Sequence, residues 1–70
     1  LVQAFPNPVT DNLTVKVAGT IQLVLLDING KVVWNENVYL QTNISTQHLA
    51  KDIYFLKDTQ SNWGIKIIVQ

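Results

Sequence analysis

Residues 12–17 alternate without exception: Leu13, Val15 and Val17 are apolar, and Thr14 and Lys16 stand between them. A period of two places the three apolar side chains on one face of an extended strand, which is buried on that face alone. Nowhere does the helical period take over. β-Branched and aromatic residues recur in short runs separated by Asn, Asp, Gly, Ser and Thr, the chemistry of strands and turns. Seven short strands are expected. The first, residues 3–5, is an edge strand halted by Pro6 and Pro8, which have a fixed φ and no N–H to give to a ladder. Asn7, ahead of a proline, is biased toward an extended backbone. Ala18-Gly19-Thr20 is expected to turn the chain from the alternating strand into a third, residues 21–27. That strand is apolar on both faces along 23–26, so it is central, or covered in part by loops or a partner.

Asn29-Gly30 is the strongest local hairpin signal, because both central positions of a type I′ turn need φ > 0, which Asn and Gly tolerate. It joins residues 21–27 to a strand at 31–38. With a two-residue loop Leu25 faces Trp34 and Asp27 faces Val32, and Ile21, Leu23, Leu25, Val32, Trp34 and Val38 share one apolar face. A longer loop shifts that register, and the sequence leaves the choice open. Residues 39–46 are the least patterned, with a short strand at Asn43-Ile44-Ser45. Residues 45–49 suit a single turn capped by Ser45 or Thr46. The last strands, 53–58 and 63–69, are joined by the polar turn 59–62. Strands at intervals of roughly 8 to 12 residues with no helix between them indicate a β-sandwich.

Composition sharpens this picture. A chain of 70 residues is one domain, and at that size only about 60% of the unfolded surface is buried on folding. The core must be rich in apolar residues, and the hydrophobic fraction of 47% meets the need. With no cysteine, neither a disulfide nor a thiolate metal site reinforces it. Five lysines balance five acidic residues, and no basic run exists to track a phosphate backbone, so nucleic acid is not an expected partner. The apolar runs at 23–26 and 67–69 fall far short of the roughly 20 residues that span a bilayer, and no direct membrane insertion is expected. The chain opens at Leu1 without an initiator methionine or a signal-like segment, as a piece excised from a longer polypeptide would.

Reactive chemistry is thin. His48 is the single histidine, and a metal site needs further ligands that the sequence does not supply. Ser45 and Ser61 lie in no nucleophile elbow. Asp27, Asp52 and Asp58 stand beside turns, where Asp commonly accepts from backbone N–H groups. No catalytic residue, cofactor or metal is expected. Asn12-Leu13-Thr14 and Asn43-Ile44-Ser45 fit the glycosylation pattern, which arises often by chance. Trp34, Trp63, Tyr39 and Tyr54 are the residues that could stack on sugar rings, yet a core this small needs large side chains. Trp34 and Tyr54 are expected inside it, and Trp63 stands between the two roles.

Pro6-Asn7-Pro8, then Asp27 with Asn29-Gly30-Lys31, then Leu49, Ile53-Tyr54-Phe55 and a closing strand through Lys66, Ile67, Ile68 and Val69 form an ordered set across nearly the whole chain. In this order and spacing the set resembles the C-terminal sorting domain of the bacterial type IX secretion system, from about Leu1 to Val69. Two departures stand out: Asp52 occupies the place where the family usually has glycine before Ile-Tyr, and the chain finishes on Gln70 where lysine is frequent. At Asp52 a left-handed turn is expected to survive, since Asp tolerates that region better than most residues.

The resemblance implies an immunoglobulin-like, all-β sandwich of about seven antiparallel strands, monomeric, acting as the C-terminal address of an exported protein in a Bacteroidetes-type bacterium. It implies a fused N-terminal cargo that crosses the inner membrane by its own signal. It further implies recognition in the periplasm by the outer-membrane translocon and its shuttle protein, delivery to the cell surface or medium, and removal by a sortase. Pro6, Asn7, Pro8, Asp27, Asn29, Gly30, Lys31, Tyr54, Lys66, Ile67, Ile68 and Val69 are the residues the resemblance marks. Strand 65–69 is a candidate for β-augmentation, with Lys57, Lys66 and the proline-bounded edge as further contacts, while Ile65, Ile67 and Val69 point their side chains into the core. The alternative is a carbohydrate-binding or adhesive sandwich module of an extracellular enzyme, which would need an exposed aromatic platform.

Overall fold

The computed structural model describes residues 2–70, so Leu1, where the resemblance begins, lies outside the described residues. The fold is all-β and antiparallel, with strands β1 (Val2–Phe5), β2 (Asn12–Leu26), β3 (Val32–Ser45), β4 (Ile53–Asp58) and β5 (Gly64–Ile68). Five strands replace the expected seven because two pairs of them are continuous. β2 runs straight through Ala18-Gly19-Thr20, and β3 unites 31–38 with 43–45.

The reason is a bulge. Lys16 pairs with Gln41 and Thr20 with Tyr39, so residues 17–19 of β2 stand opposite Leu40 alone. A bulge bends and twists a strand without ending it. Gly19 takes φ +78° and Leu40 φ +64° at this corner, and there the sheet folds over on itself. β1 and β4 hydrogen-bond to successive stretches of the same edge of β2, β3 follows the opposite edge, and β5 adds to β4. The result is sandwich-like: one layer holds β1 with the first half of β2 and the second half of β3, and the other holds the remaining halves with β4 and β5.

The alternation of β2 carries through the corner. Leu13, Val15 and Val17 before it and Leu23 and Leu25 after it are all buried, in one cluster with Val9, Val38, Ile44, Tyr54, Leu56, Ile67 and Val69. Each such aliphatic side chain contributes on the order of 1.5–3 kcal/mol by leaving water. Trp34 and Trp63 lie half-buried against this cluster. The double-sided apolar stretch of β2 is central, with β3 on one edge and β4 on the other.

The hairpin loop is longer than two residues. Gly30 N–H donates to the Asp27 carbonyl at 3.0 Å and Asp27 N–H to the Lys31 carbonyl at 2.9 Å. Gly30 alone of the loop takes positive φ, +81°, and Asn29 does not. This is the three-residue hairpin in which an ordinary turn is followed by a left-handed glycine. Leu25 still faces Trp34, but the register then slips and Leu26 pairs with Val32. Val32 is therefore on the outer face, 47% exposed, and leaves the shared apolar face expected for it. Residues 46–49 make a single turn, with Leu49 N–H on the Thr46 carbonyl. The Thr46 side chain, buried, donates its hydroxyl to the Thr10 carbonyl instead of capping a helix.

Candidate recognition site

Two proline residues deny β1 a continuation, so the chain leaves the sheet at Pro6 and crosses to the far edge of β5. There Asn7 Nδ2 donates to the Lys66 carbonyl at 2.8 Å, and Asn7 Oδ1 accepts from Ile68 N–H at 2.9 Å. Val9 continues the contact in parallel with Val69: its N–H donates to the Ile68 carbonyl and its carbonyl accepts from Gln70 N–H, both at 2.8 Å. Val69 N–H donates to the Asp52 carbonyl at 2.9 Å. The segment 6–9 is thus a strap along the outer edge of the last strand. The backbone groups of Ile68 that β-augmentation would use are already taken by Asn7 and Val9. Inside the strap Val9, Ile67 and Val69 are buried, whereas Lys66 is exposed.

The hairpin tip is organised by Asp27. Its Oδ1 accepts from Asn29 N–H and Lys31 N–H, each at 2.9 Å, the local bonding that lets Asp build turns. Asp52 acts similarly, accepting from Ile53 N–H at 2.7 Å. It does so without positive φ, so the left-handed turn expected there is absent: this position needs no glycine once the carboxylate closes the turn. Tyr54, buried at the start of β4, donates its hydroxyl to the Ala50 carbonyl at 2.7 Å, the bond of a tyrosine corner. Burial, and after it the nearby charges of Asp52 and Asp27, push the Tyr54 phenol above its ordinary value.

Tip and last strand meet across an open depression of about 540 Å³, whose lining includes Asp27, Ile28, Gly30, Phe55, Gly64 and Lys66. Lys66 therefore links the depression to the strap, which holds its carbonyl. Phe55, part of the Ile53-Tyr54-Phe55 segment but not among the marked site residues, lines this depression. Its signal was present in β4, where Ile53 and Phe55 are apolar at the positions facing away from Tyr54 and Leu56.

Among the described residues no group of His, Cys, Asp and Glu is placed to hold a metal. Asp58 accepts from Gln60 N–H and Ser61 Oγ within its own turn, and His48 is exposed in the turn after β3. What the arrangement offers is shape, an edge and charge. The profile of a family described as secretion system C-terminal sorting domain matches residues 3–70. Neither the curated proteins nor the solved structures supply a match.

Proposed function

The chain belongs to the family of secretion system C-terminal sorting domains, and from that premise we propose how its address is read. The domain is a sorting signal of the type IX secretion system: it engages that machinery and directs an N-terminal cargo to the cell surface or the medium. The domain itself is not catalytic. The finer reading is that the folded domain is met in the periplasm by the outer-membrane translocon and its shuttle protein, and that a sortase separates it from the cargo.

One observation carries this: the family match at residues 3–70 coincides with a single closed structural unit, from β1 to the residues that the strap pins at the other end. The site residues of the strap, the hairpin tip and β5 are proposed as the contact region. A sugar-binding reading is less well supported, because Trp34 and Trp63 are packed against the core and Tyr54 is buried, which leaves Tyr39 alone of its four aromatics exposed.

The test fuses residues 1–70 behind a signal peptide and a fluorescent reporter in a host carrying the system. Delivery of the reporter to the surface or medium is the expected result. Retention of a folded fusion at the level of a reporter lacking the domain would overturn the reading. A short Gly/Ser tail placed after Gln70 separates folding from recognition, since it leaves every side chain in place. Export that falls while melting is unchanged shows that the C-terminus is read directly, and full export would refute terminal reading.

A further inference from the structure

The two outer faces of the sandwich differ in kind. On the β1 layer the outward side chains are Gln3, Phe5, Thr14, Lys16, Gln41 and Asn43, paired as Gln3 with Lys16, Phe5 with Thr14, and Thr14 with Asn43. Phe5 is the one large apolar group there, and the Lys16 ammonium lies 5.7 Å from its ring centroid. That face is mostly polar, with Thr14 Oγ1 donating to Asn43 Oδ1 at 3.0 Å.

The β4–β5 layer presents the reverse. Transverse rows of partners run Val32, Leu26, Phe55, Lys66 and then Val24, Lys57, Gly64, with Ile53 beside Ile68. Phe55 is 41% exposed, Val32 47% and Ile53 38%. A contiguous exposed apolar patch of this sort marks an interaction surface. Its charged members, Lys57 and Lys66, are exposed cations. Against these two cations the depression carries one carboxylate in its lining, Asp27, whose Oδ1 accepts from Asn29 and Lys31 N–H, while Asp52 and Asp58 accept within their own turns from Ile53 and from Gln60 and Ser61.

The patch borders a length of open edge. Outward backbone groups alternate along an antiparallel strand, and in β5 they belong to Gly64, Lys66 and Ile68, since the strap takes the Lys66 carbonyl and both groups of Ile68. The Lys66 N–H and the groups of Gly64 face outward ahead of the strap.

We propose that this face, built on Leu26, Phe55, Lys57, Gly64 and Lys66, docks an extended acidic and apolar segment of a protein of the secretion machinery. The segment pairs with β5 ahead of the strap, lays apolar side chains over Phe55 and Leu26, and sets carboxylates against Lys57 and Lys66. Charge complementarity selects the occupant, because a basic segment would place like charges together across a desolvated face. The inference rests on the sorting reading above and names the surface by which that reading is carried out.

The experiment compares reporter fusions carrying the native domain, Lys57→Glu/Lys66→Glu, Lys57→Arg/Lys66→Arg and Phe55→Ser, with the melting of each isolated domain recorded. Charge reversal should lower export about tenfold or more, Phe55→Ser should lower it too, and the arginine pair should preserve it. If charge reversal lowers the melting temperature, Lys57→Gln/Lys66→Gln takes its place. Native-level export of the charge-altered, fully folded domain overturns the proposal while leaving sorting intact. Failure of the native fusion to leave the cell strikes the sorting reading instead. In that case amide shifts of the isolated domain judge the surface, using a peptide that alternates glutamate with valine or phenylalanine. Shifts confined to Leu26, Phe55, Lys57, Gly64 and Lys66 support it; equal binding of the lysine-substituted peptide, or shifts around Thr14 and Lys16, overturn it.

Discussion

Asn7 and Ile68 are 61 positions apart in sequence, yet the Asn7 carboxamide accepts the Ile68 N–H and donates to the Lys66 carbonyl two residues earlier. A side-chain amide carries the same donor and acceptor as a peptide group, so Asn7 substitutes for one residue of a neighbouring strand where two prolines prevent a regular one. Asn7→Ala should destabilise the domain by about 1–2 kcal/mol, two exposed bonds at the usual net value. Asn7→Asp keeps the acceptor but sets a carboxylate oxygen against the Lys66 carbonyl, and should recover none of the loss. Urea melts give the order, and hydrogen exchange at Ile68 should accelerate in Asn7→Ala; native protection there would mean the strap holds without Asn7.

Gly30→Val places a β-branched side chain at φ +81°. Space is not the obstacle, since an added Cβ would meet no atom within 4 Å. The cost is backbone strain of about 1–3 kcal/mol, and Gly30→Asn should cost less because Asn is enriched in the left-handed region. A Gly30→Val midpoint equal to the native one in urea would contradict the left-handed assignment.

Removing the carboxylate of Asp27 releases two backbone N–H groups at an exposed tip. Water replaces part of the loss, so Asp27→Ala should cost about 1–2 kcal/mol, with the denaturant slope unchanged. Asp27→Asn retains the accepting oxygen and should recover most of it. Equal midpoints for Asp27→Ala and the native domain would remove Asp27 as the organiser of the hairpin.

Tyr54 makes a prediction in pH. Its phenol is held above the ordinary value by burial and by the Asp52 and Asp27 charges, so above about pH 10 the unfolded chain loses this proton while the folded one keeps it. The unfolded state then binds fewer protons and stability falls as pH rises. Tyr54→Phe should melt lower at neutral pH, by about 0.5–1.5 kcal/mol for the bond to Ala50, and should show a shallower alkaline decline. Parallel alkaline slopes in the two proteins would contradict the coupling.

Sequence pattern carried the inner faces well. Leu13, Val15 and Val17 are buried as their alternation requires, and Leu25 faces Trp34 as hairpin counting predicts. It failed where one local signal has two meanings. Glycine in a strand pattern marks either a turn or a bulge, and Gly19 is the bulge; nothing in the composition around Leu40 announces its positive φ. The Asn29-Gly30 signal located the hairpin but left its loop length open; the Asp27 side chain, accepting from Asn29 and Lys31 N–H, goes with the longer loop. At the candidate recognition site the motif residues stand out in the sequence one by one. Their assembly does not, since the strap joins Asn7 to Lys66 and Ile68 through contacts that no local window contains.

The unbroken course of β2 and β3 through the corner has a consequence for how the domain opens. Hydrogen-bonded ladders run from one layer into the other, and the buried residues on either side of Gly19 belong to one cluster, so neither layer has a boundary at which it can come apart alone. Local opening is therefore expected at tips and ends, with the residues on both sides of the corner exchanging their amide protons together.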